Sequence, residues 1–182
     1  DRLTRMSEKL LSLSRFHPDV GSDCEITYFR PTIERVLRML STTADMAYVT
    51  LCADIREDAS ILILEDDLYQ IIFNLAENGI KYNLPDGRLT VGLRREEDNA
   101  VLTISDTGMG IPAESVDKIF DRFYRVDKAR SRQTGGSGLG LAIVKEMVER
   151  NRGSISVTSS DTPPTGTTFT LTFPVFDVEE DV

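Results

Sequence analysis

The chain has 182 residues, of which 40% are hydrophobic, and this length suits one globular domain with a short extension. Its formal net charge of −9 argues against a nucleic-acid-binding surface. No apolar run approaches a membrane span and no signal peptide is visible, while Cys24 and Cys52 fit no metal-binding spacing, so we expect both cysteines to be reduced core residues of a cytoplasmic protein.

The first segment, residues 2–15, has the hydrophobic spacing of an amphipathic helix. Leu3, Met6, Leu10 and Leu13 fall on one helical face. Such an apolar stripe needs a packing partner, so we expect this helix to associate with another element.

Beyond a linker at residues 18–23, the hydrophobic pattern predicts alternating strands and helices. The strands are expected at residues 24–29, 48–55, 60–64, 88–94, 100–105, 154–159 and 167–173, and the helices from Pro31, over residues 67–83 and over residues 139–149. This order predicts a mixed sheet of about five strands with about three helices on one face, an α/β sandwich of the α+β class.

The second predicted helix has an unusually narrow polar side. At about 100° per residue, Gln70, Asn74, Glu77, Asn78 and Lys81 form one polar strip, and apolar side chains cover nearly all of the remaining surface. A surface helix has the opposite proportions. The strip is therefore expected to face a wet cavity or a ligand, the alternative being an ordinary solvated stripe. An amide oxygen suits Mg²⁺, and a lysine one turn further on can meet phosphate charge.

Two glycine-containing segments follow, Asp106–Pro112 (DTGMGIP) and Gly135–Leu141 (GGSGLGL). Gly108 and Gly110 come directly after a predicted strand and permit tight turns and the close approach of a planar ligand. The second segment opens a predicted helix, whose free N–H groups make an anion site. Neither segment has the spacing of a dinucleotide fingerprint or a P-loop. Taken alone, these glycines would fit a flexible loop equally well.

Together the polar strip and the two glycine segments resemble the ATP-binding domain of bacterial sensor histidine kinases. Residues 74–83 resemble the N box of that family, residues 106–112 its first glycine box, residues 120–127 (FDRFYRVD) its F box, and residues 135–141 its second glycine box, in the same order and spacing. The resemblance implies a Bergerat-type ATP-binding fold, shared with gyrase-type ATPases, for residues 21–176. An acidic C-terminal tail is expected at residues 177–182.

The resemblance also gives residues 1–20 a role, as the second helix of a dimerisation hairpin and its linker. In the family this helix packs with its symmetry mate in a four-helix bundle, and the phosphoacceptor histidine lies on the first helix, here expected upstream of residue 1. His17, the only histidine in the chain, lacks the sequence pattern around the acceptor of the family. We expect it to be an exposed linker residue.

The resemblance implies a role for each site residue. Asp106 should accept a hydrogen bond from the adenine amino group, because a carboxylate offers acceptors only. Asn78 is the expected Mg²⁺ ligand, Lys81 should meet phosphate, and Arg125 should stabilise charge on the γ-phosphate. The catalytic pair is therefore Arg125 with Lys81. The whole expected nucleotide-binding set is Asn74, Asn78, Lys81, Tyr82, Asp106, Gly108, Gly110, Ile111, Arg125, Ser137, Gly138, Leu139 and Gly140.

Between the F box and the second glycine box, the resemblance implies a lid. Phe120, Phe123 and Tyr124 are expected to anchor it, with plain core packing as the alternative for these aromatic side chains. Residues 125–133 are polar and basic, which suggests a segment ordered only when a triphosphate is bound.

The implied function is transfer of the γ-phosphoryl group of Mg²⁺-ATP to a histidine outside this chain, for relay to a response regulator aspartate. The expected partners are a receiver domain, the phosphoacceptor helix of the same kinase and a second kinase subunit, and the chain would be the cytoplasmic part of a membrane-anchored sensor, anchored through segments outside it. Two alternatives are a regulatory nucleotide-binding module without transfer and a gyrase-type hydrolase. Asn74 disfavours hydrolysis, because the hydrolytic relatives use a glutamate there as base.

Three positions depart from the pattern of the family. Gly79 follows Asn78 where alanine is usual, and a glycine within a helix costs about 1 kcal/mol, so we expect close packing at this point. Asn83 replaces the usual threonine or serine, and Asn151-Arg152 replaces His-Gly. These changes are expected to affect local geometry and not the triphosphate chemistry.

Overall fold

The computed structural model of the protein describes residues 25–126 and 137–177. Its helices are α1 (Phe29–Met46), α2 (Glu65–Lys81), α3 (Ala113–Val116) and α4 (Gly140–Arg150). Its strands are β1 (Ile26–Tyr28), β2 (Thr50–Ile55), β3 (Ser60–Leu62), β4 (Arg88–Glu96), β5 (Asn99–Asp106), β6 (Ser154–Ser160) and β7 (Gly166–Pro174). Each predicted strand beyond residue 25 is therefore present, with shifted ends.

Five strands form one mixed sheet, as predicted, and their order is β2-β4-β5-β7-β6. The β2–β4 pair is parallel, and the other three pairs are antiparallel. The first and third strands do not join this sheet. They form a separate antiparallel pair in which Ile26 lies opposite Leu62.

The large sheet buries one face, which confirms the predicted sandwich. Along β7, Phe169, Leu171 and Phe173 are buried, while the intervening threonines are half-buried on the open face. This alternation follows from the two-residue repeat of a strand. Three long helices cover the buried face, with α2 in the middle, against α1 on one side and α4 on the other.

The central helix α2 is held by burial on most of its surface. Its fully or nearly fully buried aliphatic side chains are Leu68, Ile71, Ile72, Leu75, Ala76 and Ile80. Each large one stabilises the fold by about 1.5–3 kcal/mol through removal of apolar surface from water. The helix begins at Glu65 with three acidic residues in its first turn and ends with Lys81, so its charges complement the helix dipole at both ends.

Several element ends differ from the predictions for local backbone reasons. Tyr48 has φ of 55°, a left-handed conformation that a strand cannot contain, so β2 begins at Thr50 rather than at residue 48. Leu64 caps α2, which shortens β3 to Ser60–Leu62. Helix α1 starts at Phe29, two residues before Pro31, so the proline lies within its first turn.

The expectation that Cys52 is a core residue is wrong. Cys52 is a free thiol on β2, the edge strand of the sheet, and it is only half-buried. An edge strand has a neighbour on one side only, so its side chains stay closer to solvent. Cys24, the helix predicted at residues 2–15 and His17 lie outside the described residues.

The end of the described chain docks onto the domain. The Phe176 backbone N–H donates a 2.8 Å hydrogen bond to the Ser60 carbonyl, and the Ser60 hydroxyl donates a 2.7 Å hydrogen bond to the Phe176 carbonyl. Asp177, where the acidic tail was expected to begin, forms two 2.7 Å hydrogen bonds with the Arg95 guanidinium. Within the described ranges, no helix combines the length and apolar character that crossing a membrane requires.

The end of α4 offers a test of backbone strain. Arg152 follows the C-cap residue Asn151 and has φ of 61°, which costs a non-glycine residue about 1–2 kcal/mol. We expect Arg152→Gly to raise the free energy of unfolding by about 0.5–1 kcal/mol, since glycine removes the strain but gains entropy when unfolded. Urea denaturation of both proteins measures this difference.

The matched control is Arg38→Gly, the same replacement at an exposed position within α1. There the backbone is already helical, so glycine should lower stability by about 1 kcal/mol. A decrease in stability for Arg152→Gly as well would show that the left-handed backbone is not strained.

Candidate functional site

A cavity of about 520 Å³ opens beside α2, between the end of β5 and the start of α4. It brings together eleven of the thirteen residues expected to bind nucleotide: Asn74, Asn78, Lys81, Tyr82, Asp106, Gly110, Ile111, Arg125, Ser137, Gly138 and Gly140. These residues come from stretches more than 60 positions apart in the chain. Gly108 and Leu139 are the two that do not line it.

The polar strip of α2 forms one wall of the cavity, which Asn74, Glu77, Asn78 and Lys81 line. The Asn74 amide nitrogen donates a 2.9 Å hydrogen bond to the Gln70 carbonyl, one turn earlier in the helix. Because the nitrogen is engaged with the backbone, the amide oxygen is left for the cavity. That oxygen faces the start of α4, 3.9 Å from where a Cβ on Gly140 would lie.

Asp106 is half-buried at the end of β5, where its side chain lies close to Gly79 of α2. Its carboxylate accepts a 2.8 Å hydrogen bond from the Gly108 N–H, which explains why Gly108 lies behind the cavity wall and not on it. Burial raises the pKa of Asp106 to about 6, although the backbone N–H groups of Gly108 and Thr167 lower it in part. The site therefore holds a poorly solvated carboxylate, whose pKa reflects burial and two backbone N–H groups.

The two glycine segments turn through left-handed backbone at one position each. Gly110 has φ of 72°, and a Cβ there would lie 1.9 Å from the Ser160 carbonyl oxygen. Gly138 has φ of 71°, and a Cβ there would lie 2.9 Å from the Phe123 backbone. Both turns thus require glycine for conformation and for space.

The second glycine segment delivers the N-terminus of α4 to the cavity. The helix begins at Gly140, and its first N–H groups point away from the helix with no partner one turn earlier. The Ser137 hydroxyl is buried and has no hydrogen-bond partner among the described residues. Leu139 is 1% exposed and packs in the core, so it anchors this turn and does not line the cavity.

The start of the expected lid is fixed by fewer aromatic side chains than predicted. Phe120 packs edge-on against Phe169, with ring centres 6.3 Å apart, and the Tyr124 hydroxyl lies 3.0 Å from the Ser115 hydroxyl. Phe123 is 62% exposed, so the expectation that its side chain is an anchor is wrong. Its backbone N–H instead donates a 2.9 Å hydrogen bond to the Gly138 carbonyl, which joins the two ends of the lid.

Two basic residues line the cavity. Lys81 and Arg125 both line it, and the Lys81 ammonium lies 5.3 Å from the centre of the Tyr82 ring. This cation–π contact holds the lysine beside the cavity. Much of the predicted lid, residues 127–136, lies outside the described residues, and its ordering by a triphosphate stays a prediction.

Sequence reasoning missed the apolar part of the cavity. Met109, Ile119, Leu141 and Phe169 add an apolar lining, and Asp161 and Thr167 add polar groups. Their positions could have been anticipated only in part. Met109 lies within the first glycine segment, whereas Ile119 and Phe169 look in sequence like ordinary core residues.

The departures at Gly79 and Asn83 have local explanations. A Cβ on Gly79 would lie 2.5 Å from Leu89 Cδ1 and 3.5 Å from Asp106 Cβ, so close packing against the sheet occupies the space of a methyl group. The Asn83 amide donates hydrogen bonds to the Gly79 and Arg88 carbonyls at 2.9 and 3.1 Å. It therefore closes the end of α2.

Sequence comparison and structure comparison both find similarity to histidine kinases. A family model described as "Histidine kinase-, DNA gyrase B-, and HSP90-like ATPase" matches residues 63–177. The sensor histidine kinase WalK of Bacillus subtilis (strain 168) is 35% identical over 190 residues, which cover 100% of this chain and 30% of WalK. The chain thus spans less than half the length of this relative.

Among solved structures, the mycobacterial sensor histidine kinase MprB is similar with a TM-score of 0.74 and 26% identity, covering 86% of this chain and 100% of that chain. The histidine kinase ThkA, solved in complex with the response regulator protein TrrA, has a TM-score of 0.73 at 19% identity and covers 96% of this chain and 48% of that chain. The second similarity shows the fold alone. By the family match over residues 63–177 and by its relatives, the chain belongs to the histidine kinase-, DNA gyrase B- and HSP90-like ATPases, as an ATP-binding catalytic domain of the sensor histidine kinase type.

Proposed function

We propose that this domain binds Mg²⁺-ATP in the cavity beside α2 and transfers the γ-phosphoryl group to a histidine outside this chain. The main support is that groups from three separate parts of the chain line one cavity. The polar strip, the Asp106 carboxylate and the N-terminus of α4 line one cavity of about 520 Å³, which is in the range of small-molecule sites.

The Asp106 end of the cavity suits adenine. A carboxylate there accepts a hydrogen bond from the adenine amino group, whereas the carbonyl of guanine at the same position would meet it with an acceptor. Met109, Ile111, Ile119 and Phe169 give the faces of a base apolar surroundings. The raised pKa of Asp106 reflects burial of the carboxyl, so a donor on the ligand would satisfy it.

The opposite end suits a triphosphate and a magnesium ion. The described part of the chain contains no group of three His, Cys, Asp or Glu side chains that could hold a metal by itself. The ion would take the Asn78 amide oxygen, with the Asn74 oxygen beside it, and complete its shell with phosphate oxygens and water. When bound, Mg²⁺ neutralises phosphate charge. The α4 N-terminus and the Ser137 hydroxyl, which has no hydrogen-bond partner among the described residues, would supply donors for the phosphate oxygens.

Transfer to histidine fits these groups better than hydrolysis does. An amide at Asn74 cannot take a proton from water, and Glu77 lies one turn on, exposed to solvent. A neutral histidine nitrogen needs no such base, because it attacks phosphorus with its own lone pair as the bond to the bridging oxygen breaks and ADP leaves. Arg125 and Lys81 would stabilise the charge on the transferred group.

The remaining assignments extend the same proposal to the intact protein. Residues 1–20 would be the end of a dimerisation hairpin, residues 21–176 the catalytic domain and residues 177–182 a tail. The phosphoryl group would pass to a receiver domain of a response regulator, the kind of protein with which ThkA was solved. The acceptor helix and a second subunit would come from the same kinase, and any membrane anchor would lie outside this chain.

Phosphoryl transfer is tested by mixing the full chain with a separate acceptor-helix polypeptide of a related kinase and ATP labelled at the γ-phosphate. We expect acid-labile label on the histidine of that polypeptide. Arg125→Ala should lower the rate by about a hundredfold, because one charge stabiliser of the transition state is removed. Rapid release of phosphate without histidine labelling would support the hydrolase, and ATP binding without any reaction would support the regulatory module.

The nucleotide-binding assignments are tested by calorimetry with Mg²⁺-ATP. Asp106→Asn places an amide against the adenine amino group and should weaken binding by about a hundredfold, and Asn78→Ala should have a similar effect only when Mg²⁺ is present. The matched control is Asp98→Asn, at an exposed turn away from the cavity. Unchanged affinity in either site variant would remove that residue from the site.

The raised pKa of Asp106 predicts a pH dependence for binding of adenosine, which has no phosphate to titrate. Binding needs the ionised carboxyl, so affinity should be constant above pH 7 and fall about tenfold per pH unit below the pKa of about 6. For the ligand-free domain, the stability contributed by this raised pKa is present below about 3.8 and is lost as the pH rises through about 6.

Carbon-detected NMR of the Asp106 carboxyl, with and without adenosine, measures the pKa on which the affinity and the stability both depend. The titration midpoint should lie near pH 6 in the free domain and move down when adenosine binds. A midpoint that adenosine leaves unchanged would mean that the base does not contact this carboxylate.

A further inference from the structure

The groups proposed to bind phosphate lie on two helices that are also joined at a second, distant point. Asp67, in the first turn of α2, accepts a hydrogen bond from the Arg150 guanidinium and a 3.3 Å hydrogen bond from the Asn151 amide. Asn151 also donates to the Met147 carbonyl at 2.8 Å. We refer to Asp67, Arg150 and Asn151 as the Asp67 clamp.

The clamp is well shielded from solvent for a charged pair. The side chain of Asp67 is 17% exposed and that of Arg150 is 30% exposed. The other ion pairs of α4, Lys145 with Glu149 and Arg122 with Glu146, each have both side chains at least 40% exposed. Screening by water is weaker for the clamp, so the attraction between Asp67 and Arg150 is stronger than in the exposed pairs.

The clamp and the cavity lie at opposite ends of the same helix pair. Helices α2 and α4 run antiparallel, because the start of α2 meets the end of α4 at the clamp while Asn74 approaches Gly140 at the start of α4. At 1.5 Å per residue, Arg150 is about 15 Å along α4 from Gly140. Asp67 precedes Asn74 by seven residues, two helical turns, and so lies on the same side of α2 as the polar strip.

Between these two ends the contact is apolar. The two helices contribute four buried side chains to the core, Ile71 and Leu75 from α2 and Val144 and Met147 from α4. Apolar packing is non-directional and permits small sliding of one helix along another. The hydrogen bonds of the clamp restrict that sliding, because they join fixed points on the two helices.

We propose that Asp67 is a positioning residue for the triphosphate. Through Arg150 and Asn151 it fixes the register of α4 against α2, and so sets the distance from the α4 N-terminus and Ser137 to the oxygens of Asn74 and Asn78. Binding of the phosphates requires both sets of groups at once, whereas binding of the base at Asp106 on β5 does not. This inference rests on the proposed function, since it concerns the same nucleotide site.

A purely structural role for the clamp predicts a different effect on ligand binding. If Asp67 only stabilised the fold, its loss would lower thermal stability and weaken every ligand alike. If it sets the register, its loss separates the ligands by their phosphate content. Comparison of Mg²⁺-ATP with adenosine therefore distinguishes the two roles.

The test uses the full chain and its Asp67→Asn variant, with affinities for Mg²⁺-ATP and adenosine measured by calorimetry. We expect Mg²⁺-ATP binding to weaken by about tenfold, because misplacement of bound groups by about an ångström is costly. Adenosine binding should change by less than about twofold. Asn151→Ala, which keeps the Asp67–Arg150 pair but removes the 3.3 Å hydrogen bond to Asp67 and the 2.8 Å hydrogen bond to the Met147 carbonyl, should show the same selectivity with a smaller loss.

The matched control is Glu149→Gln, which removes the exposed 3.9 Å pair with Lys145 on the same helix. It should leave both affinities unchanged. Equal losses for the two ligands, or no loss in Asp67→Asn, would overturn the positioning role. If Asp67→Asn proves too unstable to measure, the Asn151→Ala comparison decides between the two roles. Failure of the unaltered chain to bind Mg²⁺-ATP would instead count against the proposed function itself.

Discussion

The structure depends on the burial of α2 from almost every direction. The sheet, α1 and α4 remove its aliphatic side chains from water, so only one narrow side of the helix is left for polar groups. Polar side chains placed at these buried aliphatic positions would lack partners, at a cost of about 1–3 kcal/mol each. The core therefore decides where the amides and the lysine can go, and this location is the wall of the cavity.

Asp106 shows how the same core prepares an acceptor for a ligand. The end of β5 brings the carboxyl into a half-buried position where burial raises its pKa, and two backbone N–H groups offset only part of that effect. A fully hydrated aspartate would gain little from a base, because water already satisfies it. A partly desolvated one gains more from a directed donor, such as an amino group.

The positions that depart from the pattern of the family are solved by packing and hydrogen bonding. Gly79 gives the space of a methyl group to Leu89, and Asn83 closes the end of α2 through two carbonyls. Asn151 caps α4 and also reaches Asp67, so a replacement at a helix end becomes part of a contact between helices. Arg152 alone keeps a conformational cost, since its left-handed backbone would suit glycine better.

The sequence by itself determined the repeat of each element, the polar strip and the segments that supply the site. Periods of 2 and 3.6 residues are local properties, so the strands and the long helices could be predicted before any coordinates. The resemblance of four segments to a known family implied the eleven cavity residues. Tertiary structure alone decided which elements meet. It separated β1 and β3 from the large sheet, exposed Phe123, left Cys52 on an edge, lined the cavity with Ile119 and Phe169, and paired Asp67 with Arg150 across 83 positions. These outcomes follow from contacts between distant segments, and the hydrophobic pattern of one segment does not specify the identity of its neighbours.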